Sequence, residues 1–311
     1  MDRFIGIDVS QDTLDVASWP EPSHQKLPNT PAAITQLIRR LKREPVTLVV
    51  FEPTNHYHDL LAKLLGAAKL PYHLANPYRA RQFAQGIGHR AKTDKLDAAM
   101  LAEYGVHLKA TPLSTAETEA LAALVRDRRH WVEQRKVEKT RRHSASGLSL
   151  QLITRAIAHY TKAIATVDNA IQQFLDQHPA FAERETLLRT AKGVGRVVAI
   201  TLLGELPELA TTDRQEIAAL VGVAPYDHSS GKRRGKSLCW GGRAAVRAVL
   251  YEGTVAATRS NPRIKPFYER LLAAGKDKKL ALVACLRKLL TILQAMVQTN
   301  EVFRSLDLPA T

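Results

Sequence analysis

Cysteine is almost missing from this chain: Cys239 and Cys285 are the only two in 311 residues. They stand in no paired spacing, which excludes a disulfide framework and a cysteine-based zinc site and suits a reducing cytoplasm. No apolar run approaches the roughly 18 residues that read as a membrane span. The opening MDRFIGIDVS lacks a basic segment followed by an apolar core and a cleavage site, so neither export by an obvious signal nor a membrane partner is expected. Internal repeats and low-complexity segments are missing too. Acid is scarce against base: 30 Asp and Glu face 45 Lys and Arg, a formal net charge of +15. That imbalance favours a polyanionic partner, nucleic acid ahead of a membrane surface. The remaining composition, 45% hydrophobic and 24% charged, is that of a globular protein long enough for more than one domain.

What is present divides by pattern. FIGIDV and TLDVASW predict two strands joined by the turn SQD, and PAAITQLIRRLKR predicts an amphipathic helix. VTLVVFEP reads as a buried strand, HDLLAKLLGAAK as a helix and PYHLANP as a short strand. A loop then leads into a helix carrying Asp94 and Asp97. This is an α/β domain over residues 1–110. Residues 111–180 turn to long helix-period sequence with one break near SASGLS, which predicts two helices paired as an antiparallel, coiled-coil-like arm. Residues 181–311 predict a compact, mostly helical domain with a glycine turn at Gly193 and Gly195 and a basic loop, APYDHSSGKRRGK.

Four acids of the first domain carry the chemistry. Asp8 ends the first strand and Glu52 ends the buried strand, and groups at the carboxyl ends of strands collect at one edge of an open α/β sheet. Asp94 and Asp97 are three apart, so a helix points both the same way. Alone, that pair reads as a solvated first turn favoured by the helix dipole. Together the four can hold two divalent cations, magnesium or manganese by the hardness of oxygen donors, in the arrangement that assists phosphodiester cleavage. Strand Asp, strand Glu and helix Asp-Asp in this order resemble the ribonuclease H and junction-resolvase (RuvC) type of nuclease domain. GIDVS also resembles the first phosphate loop of actin-like and sugar-kinase folds, but the second glycine-rich phosphate segment those require is missing.

The second candidate site is the basic loop. Ser230 precedes Gly231, where the backbone can bend sharply, and Lys232, Arg233, Arg234 and Lys236 follow without an acid. A hydroxyl among cations is either a nucleophile toward a phosphodiester or part of a loop that grips phosphate. His228 is either a proton acceptor or a bystander. Tyr226 and Tyr251 are rival nucleophiles, without the arginine and histidine pattern that tyrosine recombinases place around theirs.

Taken in order, FIGID, FEPTNHY, NPYRARQFAQ, KTDKLDA, KGVG, GVAP, Ser230-Gly231, VRAVLY, NPRIKPFYERL and ALVACLRKLL are similar to the motifs of the DEDD-type transposases of insertion-sequence family 110, which include Piv-type invertases. The resemblance spans nearly the whole chain. It implies Asp8, Glu52, Asp94 and Asp97 as metal ligands and Ser230 as a covalent nucleophile, the two sites forming one composite centre, commonly between subunits. It further implies donor and target DNA as substrates and a structured guide RNA as partner. The setting it implies is the prokaryotic cytoplasm, at the nucleoid. A composite centre requires at least a homodimer, and symmetric exchange of two duplexes suggests a homotetramer. One departure is clear: SLCWGGRAAVR puts Cys239 and Trp240 where relatives usually carry serine and lysine.

Other residues offer grips for nucleic acid. VRDRRHWVEQRKVEKTRRH holds eight Arg or Lys against three acids, either a solvated face or a phosphate track with steep salt dependence. His130 and Trp131 within it either stack on an unpaired base or pack as core. Lys192, Gly193 and Gly195 form either a phosphate-binding helix-hairpin-helix turn or an ordinary tight connection. Arg243 joins the expected nucleic-acid contacts, whereas Lys276, Lys278 and Lys279 read equally as phosphate contacts or solubilising charge. Three readings follow: a transposase or recombinase working through a phosphoserine link, a metal-dependent nuclease with no covalent link, or a non-enzymatic nucleic-acid binder.

Overall fold

A computed structural model of the chain describes residues 2–54, 57–88, 94–110, 115–226 and 238–303. The side chains of Asp94, Lys95 and Tyr226 lie outside that description. The chain forms two compact units, Met1–Thr115 and Ala116–Thr311.

The first unit is built on a five-stranded sheet. Strands β1 (Phe4–Val9), β2 (Thr13–Trp19) and β3 (Ser23–Pro28) form an antiparallel meander. β4 (Leu48–Phe51) joins the other edge of β1 in parallel, and β5 (Tyr72–Leu74) follows β4, giving the order β3-β2-β1-β4-β5. The β1–β2 turn is fastened by Ser10, whose backbone N–H and hydroxyl both donate to the Thr13 carbonyl at 2.9 Å. Alternation along each strand sorts side chains to two faces. Ile5, Ile7 and Val9 of β1 with Val49 and Phe51 of β4 pack against α1 (Pro31–Leu41) and α2 (Asp59–Ala67). Phe4 of β1 with Leu48 and Val50 of β4 face the other way, onto α3 (Pro77–Gly86) and α4 (Asp94–Tyr104).

Two elements go beyond the sequence expectation. β3 is mostly exposed and shows no apolar alternation to betray it. α3 fills the expected loop. Its start is written locally: Asn76 accepts from the N–H groups of Tyr78 and Arg79 at 3.0 and 3.2 Å, and Pro77 takes the first helical position.

In the second unit α5 (Ala116–Arg141) and α6 (Gly147–Gln177) pack along each other as an antiparallel pair. Arg128 meets Asp168 at 2.7 Å and Trp131 stacks on Tyr160 with centroids 6.0 Å apart. Only the first turns of α5 are buried, through Thr118, Leu121, Ala122 and Val125, and these pack with α8 (Arg196–Glu205). Arg129 seals the joint with a two-pronged bond to Glu205 at 2.5 and 2.8 Å. That bond raises the guanidinium's affinity for its proton further. Around this root lie α7 (Pro179–Arg189), α9 (Arg214–Val221), the short ribbon β6 (Pro225–Tyr226) and β7 (Leu238–Cys239), α10 (Ala244–Ser260), α11 (Lys265–Ala273) and α12 (Lys278–Thr299).

In length and apolar composition α12 reaches what a membrane-crossing helix needs, with Arg287 and Lys288 interrupting its apolar run. Its packing accounts for that composition. Cys285, Leu286, Leu289, Leu290, Leu293 and Met296 are fully enclosed in the core of this unit.

Candidate active site and nucleic-acid interface

The acids of the first unit are placed by register. Asp8 shares its face of β1 with Phe4 and Gly6, the side covered by α4, and it is half-buried. β1 and β4 are parallel with Ile7 beside Phe51, so Glu52 comes one residue past that pair, level with Asp8. Leu48 and Val50 face α4, the side to which continued alternation past Phe51 would carry Glu52, and Pro53 favours an extended residue before it.

The direction of α4 completes the placement. A Cβ built on Gly6 would fall 2.0 Å from the Ala98 carbonyl oxygen and 2.3 Å from the Ala102 nitrogen, so helix and strand backbones touch there. One turn on, Gly105 sits against Phe4 and Val50 near the start of β1. α4 therefore runs opposite to β1, and its first turn, which begins at Asp94, lies toward the Asp8 end. Asp97 immediately precedes Ala98 and is half-buried. Asp8, Glu52 and Asp97 thus lie at the same end of the sheet.

These are oxygen donors throughout, the set that a hard divalent cation takes, and they fit such an ion in kind and in lying at one end of the sheet. Among the described residues no group of three or more His, Cys, Asp or Glu is close enough to hold a metal. The Asp94 carboxyl lies outside the described side chains.

One further acid belongs to this neighbourhood. Asp15 of β2 is the register partner of Asp8. It is buried, accepts from His24 at 2.8 Å on one oxygen and pairs with Lys26 at 3.1 Å on the other. In the sequence it reads only as one position of a strand. The available signal is a charge on the α4 side of an otherwise apolar segment.

In the second unit Ser230, Lys232, Arg233, Arg234 and Lys236, together with His228, lie outside the described residues. The strands that flank them are described: Pro225 pairs with Cys239 and Tyr226 with Leu238. Beside this ribbon opens a cavity of about 1310 Å³ with an apolar floor that includes Phe267 and Val283 and a rim that includes Arg214, Lys279 and Arg287. Cys239 lines it and is exposed; partial burial pushes its thiol up while Arg287 and Arg247 pull it down.

The KGVG turn is held from both sides. Gly193 has φ of +96°, and a Cβ on it would lie 2.6 Å from that of Ala257 in α10. Asn261, fully buried, donates to the Lys192 carbonyl at 2.8 Å and accepts from the N–H groups of Arg263 and Ile264. The NP motif at the end of α10 thereby fixes the KGVG turn. Beyond it α8 has Gly195 as its N-cap residue with no side-chain cap, and Gly195 and Lys192 are both exposed.

Two expected nucleic-acid contacts meet competing partners. Arg243 spends its guanidinium on Glu208 at 2.6 and 2.5 Å and on the Glu205 carbonyl at 3.0 Å, an arrangement that locks α10 to the loop after α8. Trp131 is half-buried against Tyr160 and His130, leaving the imidazoles of His130 and His159 as the exposed members of that cluster.

Comparison with known proteins bears on all of this. Residues 5–148 match the IS110-type DEDD profile described as a transposase, and residues 185–269 match the profile described as the transposase of the IS116/IS110/IS902 family. The pilin gene-inverting protein of Moraxella bovis is 28% identical over 96% of this chain and 97% of its own length. Its counterpart in Moraxella lacunata is equally similar. A 43.6 kDa protein of insertion element IS110 from Streptomyces coelicolor is 25% identical over 50% of this chain and 38% of its own.

Proposed function

Because the chain belongs to the IS110 family of transposases, enzymes that act on DNA, we propose that it cuts and rejoins DNA strands through a serine-linked intermediate. Its metal-binding part is a ribonuclease-H-like, RuvC-type domain over residues 1–110. The arm, 111–180, and the domain carrying Ser230, 181–311, complete the machine. The observation that carries this reading is the register that sets Asp8 beside Glu52, with the first turn of α4 above the same end of the sheet.

In this mechanism Asp8, Glu52, Asp94 and Asp97 would hold magnesium or manganese. Such an ion supplies Lewis-acid stabilisation of charge on phosphate oxygens. The Ser230 hydroxyl gives up its proton and its oxygen attacks the DNA phosphorus. One strand oxygen leaves as a hydroxyl, and a phosphoserine bond replaces the broken phosphodiester. The hydroxyl of the exchanged strand then attacks the phosphoserine and restores Ser230. Lys232, Arg233, Arg234 and Lys236 bind the phosphate oxygens, and the uncapped start of α8 with Lys192 grips the backbone. The positive charge of the whole chain supports polyanionic partners: donor and target DNA, and a structured guide RNA. The composite centre joins the acids of one subunit to the serine of another in a homodimer or homotetramer, at work on nucleoid DNA in the bacterial cytoplasm.

The test is a trapping experiment. Protein, element-derived RNA, magnesium and labelled donor and target DNA are incubated, denatured and examined for a DNA–protein adduct. An adduct lost in Ser230→Ala, and weakened in alanine variants of each of the four acids, supports the mechanism. Metal-dependent cleavage that survives Ser230→Ala without an adduct leaves a nuclease.

A further inference from the structure

Read across the sheet rather than along a strand, the α4 side carries a single transverse row. Lys26 of β3 is the register partner of Asp15 in β2. Asp15 is the partner of Asp8 in β1, and Glu52 stands level with Asp8 past the Ile7–Phe51 pair. Residues opposed across antiparallel strands share a face, with Cβ atoms about 4.5–5.5 Å apart. Two carboxylates directly opposed repel, and a buried one is costly unless paired. Asp15 is 4% exposed, so folding bears that cost only because His24 and Lys26 take its two oxygens. The row thus reads one cation followed by three acids, with the cation balancing the acid farthest from Glu52.

Resting on the metal-site reading above, we propose that Asp15 and Lys26 are positioning residues that set how tightly the Asp8 end of the sheet holds a divalent cation. Asp15 adds negative field beside Asp8 and tightens the hold. Lys26, half-exposed at the end of the row, neutralises part of that field and loosens it. The pair acts through Asp8 and touches neither ion nor substrate. A merely structural role, pinning β2 to β3, gives no reason for the two substitutions to act in opposite directions.

The experiment titrates Mn²⁺ into the full-length protein and follows both bound manganese by electron paramagnetic resonance and the ion-induced rise in melting temperature, which reports affinity by mass action. Wild type is expected to saturate, and Asp8→Asn to lose saturable binding. Asp15→Asn, which keeps the side chain's shape, is expected to bind on the order of tenfold more weakly, the scale of one unit charge acting on a divalent ion about a strand's width away. Lys26→Met is expected to bind a few-fold more tightly, by roughly the part of that field it screened. If wild type saturates and Asp8→Asn does not, while Asp15→Asn and Lys26→Met both titrate as wild type, this inference is overturned and the metal site stands. No saturable binding in wild type overturns both. Should Asp15→Asn fail to fold, Lys26→Met decides: unchanged affinity overturns the proposal.

Discussion

Gly6 and Ala98 meet backbone to backbone: a side-chain carbon on Gly6 would fall 2.0 Å from the Ala98 carbonyl oxygen. This contact fixes how close α4 lies to β1, and hence how close Asp97 comes to Asp8. Gly6→Ala must push the helix outward, because the obstacle is main chain and cannot swing aside. The expected cost is at least about 2 kcal/mol of stability, with loss of divalent binding even in protein that remains folded. Chemical denaturation and a manganese titration measure the two effects. A variant with normal affinity would show that α4 does not position the acids.

The two glycines of the KGVG turn separate folding from binding. Gly193→Ala meets both the positive φ and Ala257, and is expected to destabilise the second unit by about 2 kcal/mol or more. Gly195 has open space around it. Gly195→Asp is expected to cap α8 and raise stability by a few tenths of a kcal/mol, about what aspartate gains over glycine at this position. It also sets a negative charge where phosphate is proposed to bind. Melting temperature should therefore rise as DNA affinity falls, and unchanged affinity would remove the start of α8 from the interface.

Glu208 is 3% exposed and satisfied by both prongs of Arg243. Glu208→Ala leaves a half-buried guanidinium with only the Glu205 carbonyl, with an expected loss of about 2 kcal/mol in urea unfolding. Arg243→Lys should recover only part of the wild-type bond, since an ammonium lacks the fork. A loss of DNA binding in Arg243→Lys larger than its loss of stability explains would return that residue to the nucleic-acid contacts.

The two thiols should react in sequence. Cys239 is exposed, whereas Cys285 is enclosed and burial pushes its thiol up to about 11, against the pull of Lys288. At pH 8 an alkylating reagent is expected to label Cys239 in the folded chain and Cys285 only in denaturant, as read by mass spectrometry. The folded state holds the Cys285 proton more tightly than the unfolded one. Its contribution to stability is thus present below about pH 9 and lost as pH rises through about 11. Labelling of Cys285 in native protein at pH 8 would contradict its enclosure.

Sequence reasoning reaches the elements whose side chains alternate in polarity. Phe4–Val9, Thr13–Trp19 and Leu48–Phe51 announce themselves because one or both faces are apolar. Ser23–Pro28 does not, since an exposed edge strand is held by main-chain bonds to β2 that leave no mark in hydropathy. α3 is legible from Asn76-Pro77, but only to a reader who weighs the cap above the polar residues that follow. Asp8 and Glu52 stand out as strand-end acids. Asp15 does not, because its importance comes from being opposite Asp8, and register is a property of the hairpin rather than of either segment. Arg243 shows the converse: a basic residue in a basic stretch invites assignment to phosphate, while the acid that occupies it lies 35 residues upstream.

The arm is rooted at one end only. Past Val125, α5 keeps no further buried residue and runs to Arg141, about 24 Å at helical rise. The arm is a cantilever clamped by Leu121, Val125 and the Arg129–Glu205 bond of α5 and by Ile171, Phe174 and Leu175 of α6. A tilt of about 10° at that clamp sweeps the far end through roughly 4 Å over this length. Small repacking at α8, the helix that follows the KGVG turn, is thus geared up along the arm, and load applied at the arm's far end is carried back to this root.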